Sequence, residues 1–282
     1  MAGASMKQIK TRMKSVENTR QITKAMELVA SSKLRRAKER AENSRPYHQV
    51  LAEAISGIQA GAADAPSPFL TARPVKKTCY VVIGGDRGLA GGYNANLFRT
   101  FRTLTDGTDF CVLPVGKKTL EFFRRQNCEL LTAYYGLTAA VGAGECAQMA
   151  RLLCDGFEAG QFDAVTVVYT KFRSVLSQIP VSETLLPFIP QQTGKNAMSC
   201  AIVEGDEQEL IARIVPLYVS GILYADLCEA AASEHAARRT AMNSANKNAD
   251  EIIETLALKY NRARQAVITQ EITEIVSGAE AL

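Results

Sequence analysis

The stretch of this chain that most resembles a ligand cradle is Gly84-Gly-Asp-Arg-Gly-Leu-Ala-Gly-Gly-Tyr-Asn94. It lies between an apolar run and a helical pattern, where free backbone N–H groups and a helix dipole attract phosphate. The spacing does not complete that chemistry. There is no GxGxxG, and no Gly-Lys-Ser/Thr to neutralise phosphates and hold magnesium. The glycines therefore read as the geometry of a tight turn, with Asp86 and Arg87 as local partners.

The other reactive residue types are just as sparsely arranged. Seven cysteines, at positions 79, 111, 128, 146, 154, 200 and 228, form no CxxC pair. With only two histidines, His48 and His235, that pattern argues against zinc and for reduced, buried thiols. No histidine lies close in sequence to a nucleophile with an orienting acid, and no carboxylate pair stands out. The residues indicate no catalytic group, metal ligand or cofactor site. The basic stretch Lys33-Leu-Arg-Arg-Ala-Lys-Glu-Arg40 could face phosphates. It has no interleaved aromatic, and Glu39 and Glu42 break it, which suits a solvated or protein-facing helix.

The elements that carry these residues are more informative. Ala4 to Arg45 contains no glycine or proline, and neither does Ile222 to Ser277, a run of 56 residues. At 1.5 Å per residue the second run would span roughly 84 Å, more than one small globular core can bury. Two such helices must pair with each other or with a partner, and mutual pairing would be antiparallel. Residues 1–45 hold 12 Lys/Arg against 4 Asp/Glu, a net of +8; residues 222–282 hold 6 against 9, a net of −3. The helices are electrostatically complementary.

Met6, Ile9, Met13 and Val16 make a narrow coiled-coil seam. A polar fault at Thr19 and Arg20 follows, and the stripe is expected to resume at Ile22, Met26 and Val29. Leu51, Ile55 and Ile58 repeat the spacing after Pro46, which should bend the helix. Gly57, Gly61 and Ala65-Pro-Ser-Pro68 mark its end. The returning helix offers Ala245, Ala249, Ile252, Leu256, Tyr260, Ala263 and Val267. A last stripe, Ile268, Ile272, Ile275 and Ala279, needs an apolar environment of its own.

Between the helices, strand and helix alternate. Strands are expected at 78–83, 110–115 and 164–170, and helices at about 94–104, 117–125 and 145–158. Extended chain at 174–181 and 185–188 would lie at the sheet edge, with a polar loop at 191–196. This is an α/β chain: a Rossmann-like domain with a mostly parallel sheet at 75–200, between coiled-coil helices at 1–58 and 209–282. No unbroken apolar run of about 18 residues and no secretory signal are present.

Four motifs occur in order: Ser15-Val-Glu-Asn-Thr-Arg-Gln-Ile-Thr-Lys-Ala-Met-Glu-Leu-Val-Ala30, Asp86-Arg-Gly-Leu-Ala-Gly-Gly92, Ser233-Glu-His-Ala-Ala-Arg238 and Ile268-Thr-Gln-Glu-Ile-Thr-Glu-Ile-Val-Ser-Gly-Ala279. Together they resemble the γ subunit of the F-type ATP synthase, from the first helix to the last residues. The resemblance implies a central rotor shaft. The terminal helices would form an antiparallel coiled coil inside a hexamer of three α and three β subunits. The α/β body would sit against the ε subunit and the membrane-embedded c ring, and nucleotides would bind the α and β subunits.

Carried over residue by residue, Arg264, Gln265 and Thr269 match the contact with a catch loop of one β subunit. Met26 matches the stretch facing an acidic lever loop of β, Arg238 a basic residue of the returning helix, and Glu204 a loop approaching the c ring. Ala201 and Val203 depart from aromatic positions, Arg239 from an apolar one, and Gly84 and Gly85 from hydroxyl residues. The cysteine-bearing insertion of redox-regulated plastid members is missing, and the N-terminal Met1 suits a bacterial chain. The expected location is the cytoplasmic side of the inner (plasma) membrane, as a peripheral subunit. Two other classes fit fragments of the pattern: a nucleic-acid-binding coiled coil using the basic first helix, and an α/β enzyme with helical arms binding a ligand at 85–94.

Overall fold

The computed structural model describes residues 2–61, 67–105, 107–137, 141–188 and 207–280. Glu204, Ala201, Val203 and the loop expected at 191–196 lie outside them. Nine elements follow in order: α1 (Ala2–Gly61), β1 (Lys77–Ile83), α2 (Tyr93–Leu104), β2 (Asp109–Val115), α3 (Lys117–Arg125), α4 (Ala143–Glu158), β3 (Ala164–Phe172), β4 (Gln178–Leu186) and α5 (Glu207–Glu280). The sheet order is β2-β1-β3-β4. β1 pairs in parallel with β2 and β3, and β4 runs antiparallel at one edge. The parallel strands are buried on both faces, which is why they read as unbroken apolar runs.

Alternation along each strand divides the side chains between two cores. Cys79, Val81, Ile83, Leu113 and Val115 face α4 and the first part of α5, where Met149, Leu153, Phe157, Val215, Val219 and Leu223 fill the layer. Tyr80, Val82 and Val112 face α2 and α3. There Phe101 meets Tyr80 and Phe123 edge to face, with ring centres 5.4 and 4.8 Å apart. Phe98 stacks on Phe122 at 4.0 Å.

An 18-residue window of α5 reaches a mean hydropathy of 1.5, enough by length and composition to cross a bilayer. The window is not an unbroken apolar run, since Arg213, Pro216 and Asp226 interrupt this stretch of the sequence. Ile211, Val215, Val219, Leu223, Leu227 and Ala230 of α5 are buried in the body, which accounts for the apolar character without a membrane.

The chain divides into two compact units, Met1–Ala30 with Arg238–Leu282, and Ser31–Ala237. Within the first, α1 and α5 run antiparallel: Arg20 pairs with Asp250, Thr23 with Asn246, and Glu27 with Asn243. The expected seam needs two corrections. On α5 the inward positions are Met242, Asn246, Ala249, Ile253, Leu256, Tyr260, Ala263 and Val267, a strict alternation of 4 and 3. Ile252 is 43% exposed and Asn246 only 8%. A seam of period 3.5 passes through 253 between 249 and 256, and the helix keeps that period even where it meets a polar residue.

On α1 the seam passes through Val16, Arg20, Thr23, Glu27 and Ala30, all buried or half-buried. Ile22 and Val29 point outward, 63% and 55% exposed. The polar step is therefore no fault in the seam. Arg20 lies in the seam and Thr19 outside it, and of the apolar stripe Ile22 and Val29 lie on the outer face while Met26 is half-buried.

Candidate functional site

The glycine-rich turn is occupied by the protein itself. Gly84 N donates to Val115 O at 2.9 Å, Gly85 N to Asn94 Oδ1 at 2.9 Å, and Lys118 N to Gly85 O at 3.0 Å. Asp86 Oδ1 accepts from the backbone N–H of Lys117 at 2.9 Å and of Gly136 at 3.1 Å. It thereby ties the turn to the start of α3, whose own N-cap, Gly116, offers no side chain. A Cβ on Gly84 would collide with Thr119 Oγ1, and one on Gly85 would press on the Glu234 carboxyl. Gly116 has φ +103°, and a Cβ there would strike the Gly84 carbonyl.

Tyr93 Oη also donates to Ala230 O at 3.2 Å. Two motifs far apart in sequence, the turn at 84–94 and the Ser233–Arg238 stretch, thus begin at one packed joint. Asp86 serves as the local partner expected of it. The N–H groups of Gly84, Gly85 and Tyr93 are taken by the protein itself.

Most of the remaining reactive groups are quiet; the Cys111 thiol is shifted downward, by its hydrogen bond with Cys79. Cys79, Cys111, Cys146, Cys154 and Cys228 are buried and reduced. Burial pushes the Cys146 and Cys154 thiols up to about 12 and Cys228 to about 11, far from the thiolate a nucleophile requires. Among the described residues no group of His, Cys, Asp and Glu could hold a metal ion. Asp226 on α5 is the most perturbed carboxyl. Burial, then Glu183 and Glu229, push it well above the usual carboxylate range, while Tyr169 and Lys171 work against the shift. It is buried at 5% exposure, near Tyr169 and Lys171 of β3 and Glu183 of β4.

The surface is more informative. Arg264, Gln265 and Thr269 are all exposed on α5; the Thr269 hydroxyl donates to its own helix at Gln265 O, 2.9 Å. One turn separates Gln265 from Thr269, so the three form a small polar patch. Met26 is half-buried at the edge of the α1 seam, between the outward Ile22 and Val29. Counting from the Arg20–Asp250 pair, Met26 and Arg264 lie on the order of 30 Å apart along the helices. They are two patches rather than one pocket. Arg238 is half-buried on α5.

The apolar tip residues Ile268, Ile272, Ile275 and Val276 are all exposed. Sequence periodicity had placed Ile22 and Val29 in the seam. The signal that they belong outside was the 4–3 count continuing through Arg20, Thr23 and Glu27.

The basic face of α1 does not offer a phosphate track. Arg20 pairs with Glu17 and Asp250, Arg35 lies by Glu39 and Lys38 by Glu42. From Glu17 to Glu42 carboxylates interrupt the cations, and the nucleic-acid reading finds no support.

The two units are a long antiparallel helix pair with apolar residues on its outer face and an α/β body whose glycine-rich turn is held by Asn94 and Asp86. The family model for ATP synthase matches residues 5–282. A gamma chain of ATP synthase from Exiguobacterium sp. is 44% identical, with 99% of each chain covered. A sodium-ion-specific ATP synthase gamma chain from Acetobacterium woodii is 39% identical over 99% of each. Among solved structures, the central stalk and c ring of Tetrahymena thermophila mitochondrial ATP synthase contains a chain with TM-score 0.62 and 26% identity, covering 79% of this chain and 99% of that one. A chain of the Euglena gracilis mitochondrial enzyme matches with TM-score 0.73 and 17% identity, over 99% of this chain and 95% of that one, and shares the fold. This chain belongs to the ATP synthase gamma-chain family.

Proposed function

We infer that this chain is the central rotor shaft of an F-type ATP synthase. It couples ion-driven rotation of the membrane c ring to ATP synthesis, or hydrolysis to pumping, in the hexamer of α and β subunits. It makes no bond itself, and nucleotides are handled by its partners. Its body works against the ε subunit and the c ring, where Glu204 is the proposed contact. The complex is membrane-associated, and this subunit sits peripherally on the cytoplasmic side of the inner (plasma) membrane.

The observation that carries the reading is the helix pair, bonded across by Arg20–Asp250 and Thr23–Asn246 while Ile22, Leu28 and Val29 of α1 stay exposed. Apolar side chains in a row on a helix that already has its partner require a further surface. Met26 is proposed to meet a β subunit there, with Arg238 as a basic contact of the rotor helix, and Arg264, Gln265 and Thr269 to engage a β loop nearer the tip.

Magnitudes set the division of labour. Moving a catalytic site from 1:99 to 99:1 takes about 5.5 kcal/mol of bias. A neutral hydrogen bond supplies about 1 kcal/mol net, and one to a charged group about 1.5–3. Arg264, Gln265 and Thr269 reach that scale only together. Asymmetric steric contact along the shaft therefore does most of the work, with the polar patch as a supplement. Affinity isolation of a tagged chain from native membranes tests the reading. Co-purification of α, β, ε and c subunits with ATPase activity is expected, and isolation without a hexamer would overturn it.

A further inference from the structure

We propose that the polar layer Arg20–Thr23–Glu27 against Asn243–Asn246–Asp250 is a register lock that fixes α1 axially on α5. The six side chains form two adjacent bonded groups, Arg20 with Asp250, and Thr23, Glu27, Asn243 and Asn246 together. Arg20 reaches Asp250 at 2.6 Å and Glu17 at 2.9 Å. Thr23 Oγ1 donates to Asn246 Oδ1 at 2.5 Å, and Asn246 Nδ2 donates to Glu27 at 2.8 Å. Asn243 Nδ2 donates to the other Glu27 oxygen at 3.3 Å. Asn246 occupies a seam position between Met242 and Ala249, where an apolar residue would pack better.

Leu34 and Ala37 of α1 also pack with Ala231, Ala232 and Ala236 of α5, but within the unit of Met1–Ala30 and Arg238–Leu282 the rest of the seam specifies little. Met13 and Val16 on α1 meet a stretch of α5 carrying Ile253, Leu256 and Tyr260, and apolar side chains of similar size exchange partners at small cost. A slip of one heptad would leave those contacts acceptable. It would ruin the polar layer. Sliding one way sets Thr23 before Ile253 and Glu27 before Asp250, a like-charge pair. Sliding the other way sets Thr23 before Arg239 and takes Arg20 from its carboxylate. Asn246 is 8% exposed and the Glu27 side chain 13%. Inward polar groups such as these, stranded at a seam, cost more than an apolar pair gains, so they disfavour slipped states. The exposed Arg20–Asp250 pair adds little. Its role in coupling rests on the rotor reading. One axial relation between the helices keeps the Ile22–Met26–Val29 strip and the Arg264 patch at a fixed spacing, as a shaft must when it meets two surfaces in turn.

The register can be tested without activity. A photoreactive benzoylphenylalanine at Val16 in the full chain should cross-link to the turn around Ile253, one turn beyond the Arg20–Asp250 pair. Asn246→Leu should keep or raise the melting temperature, by up to about 4 °C, while the cross-links spread a heptad away. In assembled complexes the same variant should lose ion pumping per ATP hydrolysed. Exchange of the ion pair, Arg20→Asp with Asp250→Arg, should restore the single cross-link that Arg20→Asp alone disperses. Cross-links confined to Ile253 in Asn246→Leu, or a fall in its melting temperature, would overturn the lock. A spread map with unchanged pumping would overturn its role in coupling and leave the rotor assignment untouched.

Discussion

The same helix, α5, behaves differently in the two units it passes through. From Ile211 to Ala237 it is embedded: Val215, Val219, Leu223, Leu227, Ala230, Ala232 and Ala236 are buried on several faces. From Arg238 onward only every third or fourth residue turns inward, and from Ile268 to Ser277 every side chain is exposed. The body has its own two-faced core and is complete as a domain. The paired helices keep a single narrow seam, with a polar layer inside it and apolar residues outside. Stability resides in the first arrangement, and surface left for partners in the second.

That contrast is most easily broken in the body. Phe101 is buried among Tyr80, Phe110 and Phe123. Phe101→Ala should cost about 3–5 kcal/mol, seen as a lower denaturant midpoint for the full chain. On the paired helices Leu256 is also buried, and Leu256→Gly should lose a few kcal/mol of burial plus about 1 kcal/mol of helix propensity. Its melting should affect the helix pair before the body. Wild-type melting for Leu256→Gly would remove that residue from the seam.

A smaller effect is expected at the joint around the glycine-rich turn. Asp86→Ala removes the acceptor shared by Lys117 N and Gly136 N and should cost about 1–2 kcal/mol, the worth of a helix cap. Asp226 should show itself through pH. Its carboxyl is raised in the folded chain, so the native state holds a proton that the unfolded chain releases near its ordinary value of 3.8. This group's contribution is complete below that value and is lost as pH rises through the folded value. Asp226→Asn keeps the shape and cannot ionise. Its stability should hold at neutral pH and fall less than wild type's as pH rises from 4. Parallel profiles for the two proteins would show that Asp226 is charged in the fold.

Much of the body was legible in the sequence because buried parallel strands and amphipathic helices write their periods directly. The run at 78–83 became β1 at Lys77–Ile83, and the helix at 117–125 is α3. The extended edge chain expected at 174–181 and 185–188, bounded by prolines, is the edge strand β4 from Gln178 to Leu186, with 174–177 forming the turn before it. The seam was less legible because apolar periodicity assumes that inward residues are apolar. Arg20, Thr23, Glu27 and Asn246 break that assumption, and Ile22, Val29 and Ile252 supply the apolar signal from the wrong face. The closed joint at Gly84–Asp86 was half legible. Missing phosphate-binding residues excluded a cradle, but only the fold brings Glu234 against Gly85.

The exposed outer strip should barely register in stability and should matter in the assembled complex. Arg264→Ala, at an exposed position, should change unfolding free energy by less than about 0.5 kcal/mol. In the complex it should slow turnover while leaving rotation possible. Complete loss of activity in a fully assembled complex would assign the patch more than a supplementary role. Met26→Lys sharpens the comparison further. Met26 is half-buried at the seam edge, and a lysine there can run its stem along the Ile22–Val29 strip and carry its charge outward. The seam is therefore kept, and stability should stay near wild type. At the partner surface the new cation would meet the acidic loop proposed to face Met26, at an interface that must release on every step. A charge pair formed there holds one rotational state too strongly and adds a barrier to leaving it. The expected outcome is a complex that assembles and hydrolyses ATP yet pumps fewer ions per ATP, with both rates read on the same reconstituted membranes. If pumping and hydrolysis fall together with the amount of complex, Met26 is a packing residue of the helix pair. If neither changes, the strip meets no acidic surface at that point.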